Sequence, residues 1–166
     1  AFAIGRVEEV LYWIKKLEDD GKIPKLPVFL DSPMALDALR YYANRATELD
    51  PDIQAAVEIG RFFTARFQPV SSVQQSSELV RSKIPSIVVS SSGMATGGRV
   101  LHHLLGALPD RRSTVLFVGY QAAGTRGRQL VDGAREVKIR GQLVPVNARV
   151  ERLDSMSAHA DSHETL

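Results

Sequence analysis

The sequence predicts an α/β fold: a mainly parallel sheet flanked by helices on both faces, with an antiparallel hairpin near the C-terminus. Three observations carry that expectation. Short apolar runs, Val28-Phe29-Leu30, Ile87-Val88-Val89 and Val115-Leu116-Phe117-Val118, alternate with segments whose apolar residues recur every three or four positions. Each run stops at a capping or glycine-bearing sequence: Asp31-Ser32, Ser90-Ser91-Ser92-Gly93 and Gly119-Tyr120-Gln121. From Glu136 onward the apolar period changes to two. Strands separated by helices need crossover connections, which favour parallel pairing. Ligands in such sheets sit outside the carboxyl ends of the strands. If the strands are parallel neighbours, the three polar ends meet on one rim.

The elements follow in order. Val7, Val10, Leu11, Ile14 and Leu17 form one apolar stripe, so a helix is expected over 6–19, closed by Asp20-Gly21. After a linker with two prolines comes the first buried strand. Asp31-Ser32-Pro33 is a helix start, with a side-chain acceptor at the cap and proline in the first turn. That helix runs through Met34, Leu36, Leu39 and Tyr42 towards Leu49, where Asp50-Pro51-Asp52 breaks it. The 53–73 segment has apolar bulk in Ile59, Phe62, Phe63 and Phe67 but a poor period; it reads as a helix followed by irregular chain. A helix over 73–83, a strand over 87–90, a glycine loop and a helix to about 108 come next. The last strand–helix unit spans 113–119 and a short helix through Leu130 and Val131. Glu136-Val137-Lys138-Ile139-Arg140 then alternates charged and apolar residues, Gly141-Gln142 turns, and period two continues through Val144, Val146, Ala148, Val150 and Leu153 as the second arm of a hairpin.

Composition bounds the function. The 166 residues suit one domain; 44% are hydrophobic and 24% charged, as in a folded soluble chain rather than a disordered one. No apolar run approaches the about 20 residues of a membrane span, and no signal peptide opens the sequence. Cysteine is absent, which excludes disulfides and thiolate metal sites and fits a cytoplasmic location. The net charge is only +2, but 15 arginines stand against 6 lysines. That excess suits phosphate recognition, and a GC-rich genome produces it equally well. The sequence begins at Ala1 without methionine and stops at Leu166 where an amphipathic pattern starts, so both ends look cut from something longer.

The glycine loop, Ser92-Gly93-Met94-Ala95-Thr96-Gly97-Gly98-Arg99, has the composition of an anion-binding turn, since glycine permits close backbone approach. It is not a nucleoside-triphosphate loop, because Gly97-Gly98-Arg99 stands where Gly-Lys-Ser/Thr is needed. It also lacks the dinucleotide and hydrolase-elbow spacings. A strand-to-helix turn with capping hydroxyls is the plain alternative. His102 and His103 are adjacent on a helix, about 100° apart, and cannot chelate one ion together; they are expected to matter least. Arg126 and Arg128 can grip phosphates or make surface ion pairs. Tyr120 can stack a base or enter the core. Ser157-Ala158-His159-Ala160-Asp161 gathers hydroxyls, an imidazole and a carboxylate directly after a strand. His163 lies four residues beyond His159, at metal-chelating spacing, but no third ligand accompanies the pair.

Five segments in this order resemble the β-CASP branch of the metallo-β-lactamase nucleases, which includes RNase J and relatives of the cleavage-and-polyadenylation endonuclease. They are Phe2-Ala3-Ile4-Gly5-Arg6, Asp31-Ser32-Pro33-Met34-Ala35, Ser92 through Arg99, Gly119-Tyr120-Gln121 with Gly124-Thr125-Arg126-Gly127-Arg128, and Ser157-Ala158-His159-Ala160-Asp161. The resemblance implies that residues 1–150 are a β-CASP cap domain and 151–166 the start of a return segment into a metallo-β-lactamase domain outside this sequence. It implies hydrolysis of RNA phosphodiesters by two zinc ions in that partner domain, with single-stranded RNA passing between it and the cap. The His-x-His-x-Asp-His zinc motif does not occur here, so no metal ligand is expected in this chain and the isolated chain is expected to be inactive.

The matched motifs imply residue roles. His159 would contact the scissile phosphate or assist the leaving group without ligating zinc, and Ser157 would hold phosphate. Ser92, Gly93, Gly97, Gly98 and Arg99 would line the cap side of the RNA channel, with Tyr120, Arg126 and Arg128 as further contacts. Two other readings stand beside this one: an autonomous nucleotide- or RNA-binding α/β module, and the cap of a DNA-processing member of the same superfamily. No membrane partner is expected, and a homodimer is compatible with the reading.

Overall fold

The structure, a computed structural model, describes residues 5–43 and 63–154. Helix α1 (Arg6–Asp19) buries Val7 and Leu11 and half-buries Val10 and Ile14, the stripe its spacing predicts. Its end follows from Gly21, whose φ of 66° lets Gly21 N–H reach Glu18 O and Lys22 N–H reach Leu17 O. Strand β1 (Val28–Leu30) leads into helix α2 (Pro33–Ala43), where Ser32 Oγ accepts from Ala35 N–H and Pro33 occupies the first turn. Strand β2 (Phe67–Pro69), helix α3 (Val73–Arg81) and strand β3 (Ile87–Val89) follow. Ser72 and Gln75 close a reciprocal capping box at the start of α3.

These three strands form one parallel sheet in the order β2-β1-β3. Strand β2 corrects the irregular segment expected there. It is three residues long and ends in proline, which lacks an N–H for a neighbour and is tolerated because β2 lies at the sheet edge. Val28, Leu30 and Val89 pack with Val7, Leu11, Ala35 and Leu36 as one buried cluster. Burying each such large aliphatic side chain contributes about 1.5–3 kcal/mol.

Helix α4 (Val100–Ala107), strand β4 (Thr114–Val118), helix α5 (Arg126–Val131) and strands β5 (Glu136–Ile139), β6 (Gln142–Pro145) and β7 (Arg149–Leu153) complete the described chain. Their core gathers Leu101, Leu104, Leu108, Phe117, Leu130, Ile139 and Val144. Strands β5 and β6 are the expected antiparallel hairpin, but its turn is Arg140-Gly141, not Gly141-Gln142.

The expected second arm through Leu153 is divided. After Pro145 the chain crosses over, and Asn147 and Ala148 N–H both reach Leu108 O, at 2.8 and 2.9 Å. It then pairs as β7 in parallel with β4. Period two reports a half-exposed strand but not its partner, so the alternation survives while the pairing differs. The expected end of α2 near Leu49 and most of the 53–73 segment lie outside the described residues. Among the described residues no helix is long and apolar enough to cross a membrane.

Candidate functional site

The carboxyl ends of β1, β2 and β3 meet at one buried carboxylate. Asp31, directly after β1, is fully buried. Its Oδ2 accepts from Ser76 Oγ of α3 at 2.5 Å and from His103 Nε2 of α4 at 2.6 Å. Its Oδ1 accepts from Arg99 Nη1 at 2.7 Å. Arg99 also donates to Val70 O and Ser71 O just beyond β2, at 3.0 and 3.1 Å. Ser90 Oγ, beyond β3, donates to Asp31 O at 2.9 Å, and the Ser32 and Ser91 hydroxyls share a hydrogen bond of 2.5 Å. Burial pushes the Asp31 carboxyl up, but the hydrogen bonds from Ser76, His103 and Arg99, with the charge on His103, more than offset that and hold it below its ordinary value. A buried carboxylate persists only when paired in this way.

The glycine loop is anchored from the other side. Gln121, fully buried after β4, donates from Nε2 to Gly93 O at 3.0 Å. Gly127 N–H donates to Met94 O at 2.9 Å, and Arg126 Nη1 donates to Ala95 O. Three successive loop carbonyls are thus held by the segment that follows β4. Gly127 has to be glycine, because a Cβ there would overlap Gln121 Oε1. Ser92 and Ala95 turn the loop at φ 70° and 53°, a left-handed conformation that costs roughly 1–2 kcal/mol per L-residue. Strain of this kind persists where surrounding contacts over-determine the backbone.

With its inner edge tied down, the loop presents Thr96, Gly97 and Gly98 outward. Gly97 has no positive φ, and a Cβ placed on it would meet no atom within 4 Å, so nothing among the described residues requires a glycine there. Gly98 turns at φ 75°. Ser92 Oγ accepts from Gly97 N–H at 3.3 Å and meets Thr96 Oγ1 at 3.2 Å.

The other residues that the sequence singles out are placed as follows. Tyr120 is exposed rather than in the core. Arg128 makes an ion pair with Asp132, 2.8 Å apart and four residues along, which pushes its guanidinium further up. Arg126 Nε donates to Lys138 O at 2.9 Å, so its guanidinium bridges the glycine loop and the hairpin. Ser157, His159 and His163 lie outside the described residues.

His103 corrects the expectation that the loop's histidines matter least. A helical period shows that neighbouring side chains diverge; it cannot show that one of them reaches a carboxylate 72 positions earlier. Asp31 and Gln121 lie in strand ends that the sequence singles out, but their roles as anchors do not follow from it, and Ser76 does not stand out at all. A carboxylate at a strand's carboxyl end is the available signal for Asp31. Nothing local marks Ser76.

A family model described as the Beta-Casp domain matches residues 7–130. The chain is 36% identical over 167 residues to a Thermus thermophilus protein named Ribonuclease TTHA0252, covering 99% of this chain and 38% of that protein. It is 35% identical over 161 residues to an RNase J-like protein of Methanocaldococcus jannaschii, covering 96% of this chain and 36% of that one. It is 31% identical over 174 residues to the transcription termination factor FttA of Methanosarcina mazei, covering all of this chain and 27% of that protein. The chain therefore spans less than two-fifths of the length of each of these relatives.

Proposed function

We propose, for a chain that belongs to the Beta-Casp domain family, that it is the RNA-binding cap of a zinc-dependent ribonuclease and inactive by itself. The observation that carries this reading is the glycine loop, tied down along its inner edge through the carbonyls of Gly93, Met94 and Ala95 and, among the described residues, open beside Gly97 and Gly98 on its outer one. A fixed, side-chain-poor edge lets a phosphate backbone approach closely. Tyr120, exposed at the surface, offers a base-stacking surface, and Arg126 offers a cation at the loop's edge. The relatives named as ribonucleases support RNA as the substrate class.

Among the described residues no three His, Cys, Asp or Glu side chains gather where they could hold a metal ion. These residues do not fit a zinc centre, and no step is assigned to one on them. In this reading both zinc ions, and the activation of water they supply, belong to a metallo-β-lactamase domain of the same polypeptide, which residues 151–166 would enter. His159 and Ser157 would then approach the scissile phosphate from the cap side. The absence of cysteine fits the reducing cytoplasm.

The purified chain is expected to bind single-stranded RNA with a salt-dependent affinity, to carry no stoichiometric zinc and to leave labelled RNA intact. Stoichiometric zinc with metal-dependent cleavage overturns the division of labour. Preference for DNA or for a free nucleotide shifts the reading to a DNA-processing cap or an autonomous module. In the full-length protein, His159→Ala should lower kcat by orders of magnitude with both zinc ions retained. Loss of metal from that variant would make His159 a ligand.

A further inference from the structure

We infer that the β5–β6 hairpin carries a second phosphate-contact site for single-stranded RNA, made by Lys138 and Arg140 together with Arg126; it rests on the RNA-binding reading above and extends it away from the glycine loop. An open depression of about 440 Å³ lies between Thr96 of the loop, Arg126 of α5 and the hairpin residues Lys138, Arg140 and Gly141. Among the described residues no carboxylate lines it. Three cations from three different positions therefore face one concavity, and mutual repulsion among them is relieved by an anion.

The exposed arginines divide into paired and unpaired ones, and Arg66, Arg81, Arg111 and Arg135 also lack a carboxylate partner among the described residues, so the site rests on three cations lining one depression and not on unpaired charge alone. Arg40, Arg112, Arg128, Arg149 and Arg152 each lie within 4.0 Å of a carboxylate. Lys138 and Arg140 have no such partner among the described residues, and both are exposed. Arg126 is not free to swing: its Nε and Nη1 are held by Lys138 O and Ala95 O, so the guanidinium is held in the lining of the depression. Holding it there costs no further side-chain entropy when a phosphate arrives.

Arg140 points the same way by a separate route. It occupies the first position of the two-residue turn with φ 50°, followed by Gly141 with φ 84°. Turns of this shape favour asparagine, aspartate or glycine at the first position. An arginine there is conformationally disfavoured and gains no ion pair among the described residues in return, which leaves its cation available to a ligand. Because Thr96 belongs to both the glycine loop and the depression, a chain lying along the loop's outer edge continues into it without a gap. A linear polyanion fits that continuity better than an isolated phosphate does.

Fluorescence anisotropy of a labelled single-stranded RNA with the 166-residue chain tests this. Removing each phosphate contact should lower the slope of log affinity against log salt by about 0.7. Lys138→Ala with Arg140→Gly should then flatten the slope by roughly 1.4 and weaken binding severalfold at low salt. Arg140→Gly alone should weaken RNA binding while leaving the thermal midpoint unchanged or higher, a divergence that a structural role would not produce. Lys138→Arg should retain affinity, and Arg112→Ala, removing an arginine already paired with Asp110, should change nothing. If the wild-type chain binds RNA and the double variant matches it in affinity and slope, the hairpin site is overturned and the RNA-binding reading stands. If the wild-type chain binds no RNA, both fall.

Discussion

Arg99, at the end of the glycine loop, and Arg140, in the β5–β6 turn, carry the same guanidinium and use it in opposite ways. Arg99, with 18% of its side chain exposed, is engaged by Asp31, Val70 O and Ser71 O, and it locks the ends of β1 and β2 to the start of α4. Arg140 is exposed, sits on a disfavoured backbone conformation and has no carboxylate partner among the described residues. In the first region charge is buried and fully paired, and it holds a shape. In the second, charge is left in water, where it is available to a ligand. The comparison separates a rim's architecture from its contact surface, which residue type alone does not.

The largest expected effect is in the buried region. Asp31→Ala leaves the Arg99 and His103 donors without their acceptor, and breaking a buried pair in this way costs about 3–5 kcal/mol. Urea denaturation measures it; a loss below about 1 kcal/mol, the range of exposed pairs, would erase the distinction between the two regions. Gly127→Ala comes next. The new Cβ displaces Gln121, and overpacking of this kind costs typically about 1–3 kcal/mol. It should also loosen the glycine loop, visible as faster amide exchange at residue 127, whose N–H holds Met94 O.

A pH series sharpens the same contrast. The folded Asp31 carboxyl titrates below its ordinary value of 3.8, so its contribution is present in full above that value and is lost as pH falls through the lower folded one. Asp31→Asn should flatten that acid limb of the stability curve. The carboxyl of Asp110, partly exposed beside the exposed Arg112, is held at about 2 by hydrogen bonds from Arg112, and Asp110→Asn should alter the limb less, because solvent screens such a pair. The smallest effects belong to the exposed region. Lys138→Ala should change stability by no more than about 0.5 kcal/mol, and Arg140→Gly should raise it by up to about 1 kcal/mol by relieving the left-handed strain. A large loss from either substitution would place these side chains in the architecture.

Much of the fold was legible from local pattern. The apolar stripe of α1, the stop at Gly21, the Ser32-Pro33 start of α2 and the strand at Ile87–Val89 each follow from constraints that act within a few residues. The convergence of the β1 and β3 ends was also legible, since Ser90 Oγ reaches Asp31 O; β4 is not a neighbour of these strands but lies in a separate sheet with β7, and its Gln121 joins them only through the glycine loop. Strand β2 was not, because three residues ending in proline carry no period. The partner of β7 was not, because alternation is the same whichever strand it pairs with. Within the candidate site, the glycine loop was legible and its anchors Gln121, Asp31 and His103 were not. Their importance lies in contacts spanning 28 to 72 positions along the chain.

By itself the sequence determined the kinds of element, most of their limits, the place of the glycine loop and the resemblance to the β-CASP nucleases. These rest on backbone dihedrals, side-chain period and motif order, all of which act or are read locally. Only the tertiary structure decided which arginine is consumed in holding the rim and which is left on the surface. That choice depends on desolvation and on partners brought together from distant positions, and neither exists until the chain has folded.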